Sequence, residues 1–262
     1  MEENRTRTAN KIKDNFINSN NKIDIIIPYY NEQGLLVKLV ESIIKYTRNI
    51  EYNIYLINDG SSSEDIKFFF KNYNKHIKIL DIPKNLGFGA AINHGLKNSF
   101  ENLKLIMHSD CIVENFSWLS NLYLSYLNLK KDNNCALVCS KTNYSTTKYK
   151  ILECNPDEIN DINLVLDLPY IPFYSTMFSI DLIMKVGLFK EYPYIGYEDE
   201  EFCARVSKSG FKFGLSGSSF VNHLGGKTIS KLINKNPNIK NIIKKNRDLC
   251  KSDIKSLFVA TK

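Results

Sequence analysis

The chain lacks any apolar run near the roughly 20 residues needed to cross a bilayer. Its first twenty residues are polar and of mixed charge, without the apolar centre of a signal peptide. The cytoplasm is therefore the expected location. The six cysteines (Cys111, Cys135, Cys139, Cys154, Cys203, Cys250) show no C-x-x-C spacing, so neither a zinc site nor a disulfide framework is implied. Gly87-Phe-Gly89-Ala-Ala-Ile92 lacks the third glycine of a dinucleotide fingerprint, which argues against a dehydrogenase. There is no Walker lysine motif, and Gly214-Leu-Ser-Gly-Ser has the wrong order for a nucleophile elbow. Tyr29-Tyr30-Asn31-Glu32-Gln33 offers no glycine-rich, basic loop to hold a triphosphate, which argues against a nucleotidyltransferase.

What is present is an ordinary folding composition. With 262 residues, 43% hydrophobic and 24% charged, the chain is long enough to bury a sizeable core. Its net charge of +7 is unevenly spread. From Lys227 to Lys262 there are ten Lys or Arg against Asp248 and Asp253, a local +8 that leaves −1 for everything before it. The basicity belongs to the tail, and no nucleic-acid partner is expected. Leu232, Ile239, Ile243, Leu249 and Phe258 are interspersed with these charges, so the tail fits either an anionic membrane surface or a helix packing one apolar face on its own domain.

Strands and helices alternate through the first half. Ile23 to Ile27 reads as a buried strand stopped by Pro28, followed by a helix over Gly34 to Tyr46 with apolar residues at helical spacing. Tyr52 to Ile57 is a second strand ending in Asn58-Asp59-Gly60. Ser61-x-x-Glu64 is a capping box opening a helix with Phe68, Phe69 and Phe70. Ile77 to Ile82 is the third strand, leading into Asn85-Leu-Gly87-Phe-Gly89 and a helix as far as Ser99. Leu105 to Val113 reads as the fourth, interrupted by one carboxylate, Asp110. This alternation predicts an α/β fold with an open, mostly parallel sheet flanked by helices, and ligands bind such sheets beyond the carboxyl ends of the strands.

A helix over Ser117 to Leu129 and a strand over Cys135 to Ser140 follow. Periodicity then fades from Lys141 to Pro172, a length that points to a functional loop. The ordered pattern resumes with a strand at Phe173 to Ser179 and a helix at Asp181 to Val186. Next come Tyr192-Pro-Tyr-Ile-Gly-Tyr197, the four acids Glu198 to Glu201 opening a helix to Ser209, and a strand from Phe211 to Val221 that leads to His223.

Taken singly, each polar candidate has an ordinary alternative. Asp110 suits a turn cap, His223 a packed histidine, and Glu200 and Glu201 a favourable interaction with the positive helix end. Asp199 stands out because Tyr192, Tyr194 and Tyr197 precede it like a sugar-binding platform, beside which a carboxylate is suited to take a proton from a hydroxyl. Asp110 and His223 together make a plausible oxygen and nitrogen pair for Mn2+ or Mg2+.

Ile26-Ile-Pro-Tyr-Tyr-Asn-Glu32, Leu56-Ile-Asn-Asp-Gly-Ser-Ser62, Asn85-Leu-Gly-Phe-Gly-Ala-Ala91, His108-Ser-Asp110, Gly196-Tyr-Glu-Asp-Glu-Glu-Phe-Cys-Ala-Arg205 and His223 together resemble glycosyltransferase family 2, in the right order over roughly Lys22 to Thr228. The pattern around Asn85 is most similar to the rhamnosyltransferase-like branch. The resemblance implies a single A-type glycosyltransferase domain over 22–228, with a nucleotide-binding half (about 22–115) and an acceptor-binding half (about 116–228). It would be preceded by a flexible or helical leader (1–21) and followed by a basic helical tail (229–262).

The activity implied is inverting, metal-assisted transfer from a nucleoside-diphosphate sugar to a glycan, lipid-linked or protein acceptor. Tyr30, Glu32, Asp59, Asn85, Gly87, Ser109 and Asp110 would bind the donor nucleotide, and Asp110 and His223 the metal. Asp199 would be the general base with Glu198 beside it, Tyr174, Tyr194 and Tyr197 would meet the acceptor, and the role of Arg205 could be structural. His108 and Ser109 stand where many relatives carry acids. A nucleotide-sugar-binding protein with weak or no catalysis is the alternative on the same fold. The basic tail would allow peripheral contact with the inner face of the membrane.

Overall fold

The computed structural model describes residues 22–31, 33–61, 77–145, 147–225, 233 and 236–259. The expected leader and the helix opened by Ser61-x-x-Glu64 fall outside the described residues beyond Ser61, as does Glu32. In the first half the strands are β1 (Ile23–Tyr29), β2 (Tyr52–Asp59), β3 (Ile77–Ile82), β4 (Leu103–Met107) and β5 (Cys111–Ile112), with α1 (Gln33–Tyr46) and α2 (Phe88–Asn98). The second half holds α3 (Trp118–Asn133), β6 (Cys135–Thr142), β7 (Leu164–Leu166), β8 (Ser175–Ser179), α4 (Ile180–Val186), α5 (Glu198–Lys208), β9 (Lys212–His223) and α6 (Ile239–Val259).

The strands form one nine-stranded sheet in the order β3-β2-β1-β4-β8-β6-β9-β5, with β7 on β9. The longest ladders, β1 with β2 and β2 with β3, are parallel, as is β6 with β9; β8 runs antiparallel to both β4 and β6 and joins the two halves. The strands of a parallel sheet covered on both faces read as continuous apolar runs, and that is how β1 and β2 are written. Ile23, Ile25 and Ile27 of β1 turn to the face covered by α1 and α3. Ile26 turns to the opposite face, against Ala91, Ile92 and Leu96 of α2 and, further along, Phe202 and Val206 of α5. Gly95 lets α2 approach closely, since a Cβ there would lie 2.6 Å from Ile26 Cγ2.

Two differences from the sequence expectation bear on the site. Pro28 does not stop β1; it remains paired in register with Ile57. The ladder to β4 has already ended at Ile26, so a missing N–H is tolerated there. The run from Leu105 to Val113 is two strands, β4 and β5, separated by His108-Ser109-Asp110, and β5 pairs antiparallel with the end of β9.

Beneath the strand starts, Lys104 Nζ lies 2.8 Å from Asp24 Oδ2, both side chains being fully buried. Asp24 also accepts hydrogen bonds from Asn53 Nδ2 and the Glu101 N–H, so its charge is fully engaged. Burial drives the Lys104 pKa down, and the hydrogen bond and charge of Asp24 oppose that shift. Removing one member strands the other. Lys104→Met should lower unfolding free energy by roughly 3–5 kcal/mol in urea titration, and a loss below about 1 kcal/mol, the range of exposed pairs, would show the pair to be solvated.

Candidate active site

A cleft of about 420 Å³ opens at the carboxyl ends of β1, β2 and β4, where the topology predicts a ligand site. It is lined by Tyr30, Asp59 and Asn85 from the first half, His108, Ser109 and Asp110 after β4, and Tyr194, Tyr197, Glu198, Asp199 and His223 from the second. Glu200 also lines it. Five carboxylates thus face the cleft, and no Lys or Arg does among the described residues.

The β5–β9 pairing brings the two proposed metal ligands together. Cys111 is paired with His223 and Ile112 with Asn222, and the Leu224 N–H bonds to the Asp110 carbonyl. His223 Nε2 consequently lies 3.3 Å from Asp110 Oδ1. His223 Nδ1 is 3.0 Å from the Tyr144 carbonyl, which can only accept, so Nδ1 carries a proton and Nε2 faces the carboxylate. Two acceptors at that separation need a proton or a cation between them.

His108, read from the sequence only as a replacement for an acid, supplies a third donor atom. Its Nδ1 is 3.4 Å from His223 Nε2, and one atom from each of His108, Asp110 and His223 falls within 4.8 Å of the others. Burial, with His223 adding to it, holds the His108 pKa down at about 4, so the ring is neutral near pH 7. Burial acts to raise the Asp110 pKa, but the His223 hydrogen bond and the two imidazoles outweigh it and keep the carboxyl below its usual range. Two imidazole nitrogens and a carboxylate are a donor set that fits a divalent transition metal.

Asp199 sits at the start of α5. Its Oδ2 accepts the Phe173 N–H at 3.2 Å, whereas Oδ1 is buried without a partner. Glu198 Oε2 is likewise buried and unpaired, as are Tyr29 Oη and Asn85 Oδ1. All four of these orphaned atoms belong to residues of this one cleft. Buried polar groups are nearly always satisfied, so their convergence marks where a polar ligand belongs. Burial raises the pKa of both Asp199 and Glu198, and the negative charge of Asp199 raises Glu198 further.

The loop before Asp199 is held in costly backbone. Tyr194 (φ 64°) and Tyr197 (φ 78°) occupy the left-handed region, at roughly 1–3 kcal/mol each.

Several expected roles change on this geometry. Tyr174 cannot meet an acceptor: it is fully buried, its hydroxyl donates to the Ser140 carbonyl at 2.6 Å, and its ring stacks on His223 with centroids 5.5 Å apart. It supports the histidine from beneath. Gly87 is not part of the cleft wall among the described residues; a Cβ there would lie 2.6 Å from the Tyr192 carbonyl oxygen, so glycine is needed for the loop to pass. Asp59 spends both oxygens on backbone, accepting from the Leu86 N–H at 2.7 Å and the Gly87 N–H at 2.9 Å. Arg205, by contrast, keeps the structural role expected of it: it forms a two-pronged pair with Glu201 (2.7 and 2.8 Å) and bonds the Val186 and Leu188 carbonyls. Tyr170, Pro172, Phe88 and Ile243 line the cleft although sequence reasoning did not place them there.

The sequence pattern that defines glycosyl transferase family 2 matches residues 24–186, more than half of the chain. The chain belongs to glycosyl transferase family 2. The match ends before Asp199 and His223. Relatives include a teichoic acid poly(glycerol phosphate) polymerase of Staphylococcus epidermidis, 27% identical over 146 residues that cover 55% of this chain and 19% of that one. A dolichyl-phosphate beta-glucosyltransferase of Trichomonas vaginalis is 28% identical over 49% of this chain and 42% of its own. The chain thus spans less than half the length of either relative.

Among solved structures, GalNAc-T7 with UDP, GalNAc and Mn2+ superposes with a TM-score of 0.63 at 18% identity, covering 77% of this chain and 43% of that one. A mannosyltransferase of Pyrobaculum calidifontis with GDP-Man and Mn2+ gives 0.61 at 13% identity, covering 78% and 57%. These likenesses establish the A-type glycosyltransferase fold.

A carboxylate whose pKa is raised by folding costs stability when ionised, and that cost vanishes once pH falls below its unfolded value. Glu198→Gln should therefore unfold at a higher temperature than the parent above neutral pH. The gap should close as pH drops to the ordinary carboxylate range; a gap independent of pH would show that Glu198 is not held in its neutral form.

Proposed function

We propose that the protein is an inverting, metal-dependent glycosyltransferase using a nucleoside-diphosphate sugar. The observation that carries this reading is the acid-lined cleft. A diphosphate entering among five carboxylates, with no Lys or Arg among the described lining residues, requires a divalent cation to accompany it. His108, Asp110 and His223 would hold that cation, Mn2+ being favoured over Mg2+ by two nitrogen donors. When bound, such an ion supplies neutralisation of the charge that builds on the departing diphosphate.

The protein residues perform the rest. Tyr30 and Asn85 receive the nucleotide base and ribose beside the turn that Asp59 secures; Ser109 faces the phosphates, and Glu32 belongs to the same expected set. Asp199 Oδ1, desolvated and unpaired, takes the proton of the acceptor hydroxyl as its oxygen attacks the anomeric carbon and the bond to diphosphate breaks. Attack opposite the leaving group inverts that carbon. Glu198 offers its free oxygen to a sugar hydroxyl, and Tyr194, Tyr197 and Tyr170 provide the flat aromatic surface a sugar ring packs on.

The acceptor is a hydroxyl of a glycan, a lipid-linked sugar or a protein, reached from the cytoplasm, and the teichoic acid polymerase among the relatives supports a setting in surface-polysaccharide assembly. No helix among the described residues is long and apolar enough to cross a membrane. On α6, Lys240, Lys244, Arg247, Lys251 and Lys255 recur at spacings of three and four, which aligns them on one exposed side. Exposed Phe258 falls on the same side. This side fits an anionic membrane surface.

Two experiments test these readings. The protein, Mn2+, candidate acceptors and a panel of UDP- and GDP-sugars should release nucleoside diphosphate, and chelation should stop the release. Asp199→Asn should lower turnover by about 10²- to 10⁴-fold while nucleotide affinity stays unchanged. Release unaffected by chelator, or equal loss of binding and turnover in the variant, would overturn the assignment. Separately, the protein should sediment with anionic liposomes at low salt and be freed at high salt; indifference to lipid charge would leave α6 as a packing element alone.

A further inference from the structure

Helix α6 lies outside the segment matched to the family, yet its inner side is built into the loop that presents the proposed catalytic acid. Asn246 is 1% exposed, and its Nδ2 donates to the carbonyls of Pro193 at 2.9 Å and Ile195 at 3.3 Å. Four residues on, Cys250 Sγ lies 3.5 Å from the Tyr197 carbonyl. Asp253 Oδ2 accepts from Tyr192 Oη at 2.8 Å and faces Lys190 Nζ at 3.8 Å. Asn246, Cys250 and Asp253 succeed one another at four and three residues, so one side of the helix meets the loop repeatedly along its course. Between those contacts the loop contains left-handed Tyr194 and Tyr197 around Gly196, conformations that persist only where surrounding structure enforces them. On the other side, the Phe88 N–H bonds to the Tyr194 carbonyl at 2.9 Å, so the loop is gripped between α2 and α6.

From these contacts we infer that Asn246 is a positioning residue for transfer. It holds the 190–197 loop in its strained form so that Tyr194, Tyr197 and Asp199 face the acceptor together, while Ile243, one turn earlier on α6, completes the apolar wall of the acceptor subsite. The inference rests on the transferase reading for its kinetic consequence and on geometry alone for its conformational one. Asn246 has the right chemistry: its amide group is a double donor aimed at two backbone oxygens that would otherwise be left inside the packing without partners. An aspartate of the same shape would turn an acceptor toward both.

The test uses the full chain with Asn246→Asp and, because the first substitution is deeply buried, Asp253→Ala on the half-exposed part of the same contact. Hydrogen exchange of the 190–197 amides should speed up by about tenfold or more in each variant, with exchange in β1, β2 and β4 unchanged. The acceptor KM should rise by a similar factor while the affinity for nucleoside diphosphate with Mn2+ stays at the parent value. Unchanged loop exchange in both variants would overturn the proposal. So would a fall in nucleotide affinity matching the rise in acceptor KM, because a merely structural role would weaken both. Should the parent transfer no sugar to any acceptor, the transferase reading fails, and the exchange measurement decides the positioning role by itself.

Discussion

Two residue pairs hold the proposed metal centre in place. The antiparallel step of Cys111-Ile112 against Asn222-His223 closes a span of more than one hundred residues and sets Asp110 within 3.3 Å of His223. Without it, Asp110 would be a carboxylate in a turn after β4 and His223 the end of a long strand. The pairing itself is held by the stacked sheet: β9 is anchored to β6 along most of its length, β6 to β8, and β8 to β4. Tyr174, packed beneath His223 with its hydroxyl tied to Ser140, prevents the imidazole from sinking into the core. The position of the histidine is therefore a property of the whole second half of the sheet.

The first half of the fold was legible because fully buried parallel strands are spelled as β-branched runs, and Ile23 to Ile27 and Tyr52 to Ile57 are such runs. The two-residue β5 was not, since no periodicity survives in so short a strand and the sequence runs it together with β4. Asp110, Asp199 and His223 stand out in the sequence as carboxylates or imidazole in apolar or aromatic surroundings, and the structure brings all three to one cleft. His108 reads from the sequence only as standing where many relatives carry acids; two imidazoles at 3.4 Å separation are visible only once β5 folds back. Tyr174 and Gly87 differ between sequence expectation and structure for a common reason. A tyrosine or glycine near a site reads the same whether it touches ligand or packs behind it, and burial decides. Tyr170 was hidden in the aperiodic stretch before β8, and Ile243 in a tail read mainly for its charge.

The cleft and the core obey opposite rules. In the core, the buried ion pair of Lys104 with Asp24 is saturated with hydrogen bonds. In the cleft, Glu198 and Asp199 are desolvated and each leaves one oxygen unbonded, and the loop that leads into them is strained. These features lower the stability of the fold at the places where the proposed chemistry needs a base with a raised pKa and a surface free to accept sugar hydroxyls. Gly87, Phe88 and Asn246 brace that region from either side, so the strain is confined to one short loop.

The four orphaned atoms, Tyr29 Oη, Asn85 Oδ1, Glu198 Oε2 and Asp199 Oδ1, carry a consequence of another kind. Each unsatisfied buried group costs roughly 1–3 kcal/mol, and a ligand that bonds several of them restores that free energy to the folded state only. Binding and unfolding are linked, so the true donor and acceptor should announce themselves as large gains in melting temperature for their size. Molecules that merely fill the cleft would leave the same atoms unbonded and produce smaller gains. The unliganded protein can thus act as its own detector, sorting nucleotide sugars and glycans by heat resistance before any bond has been transferred.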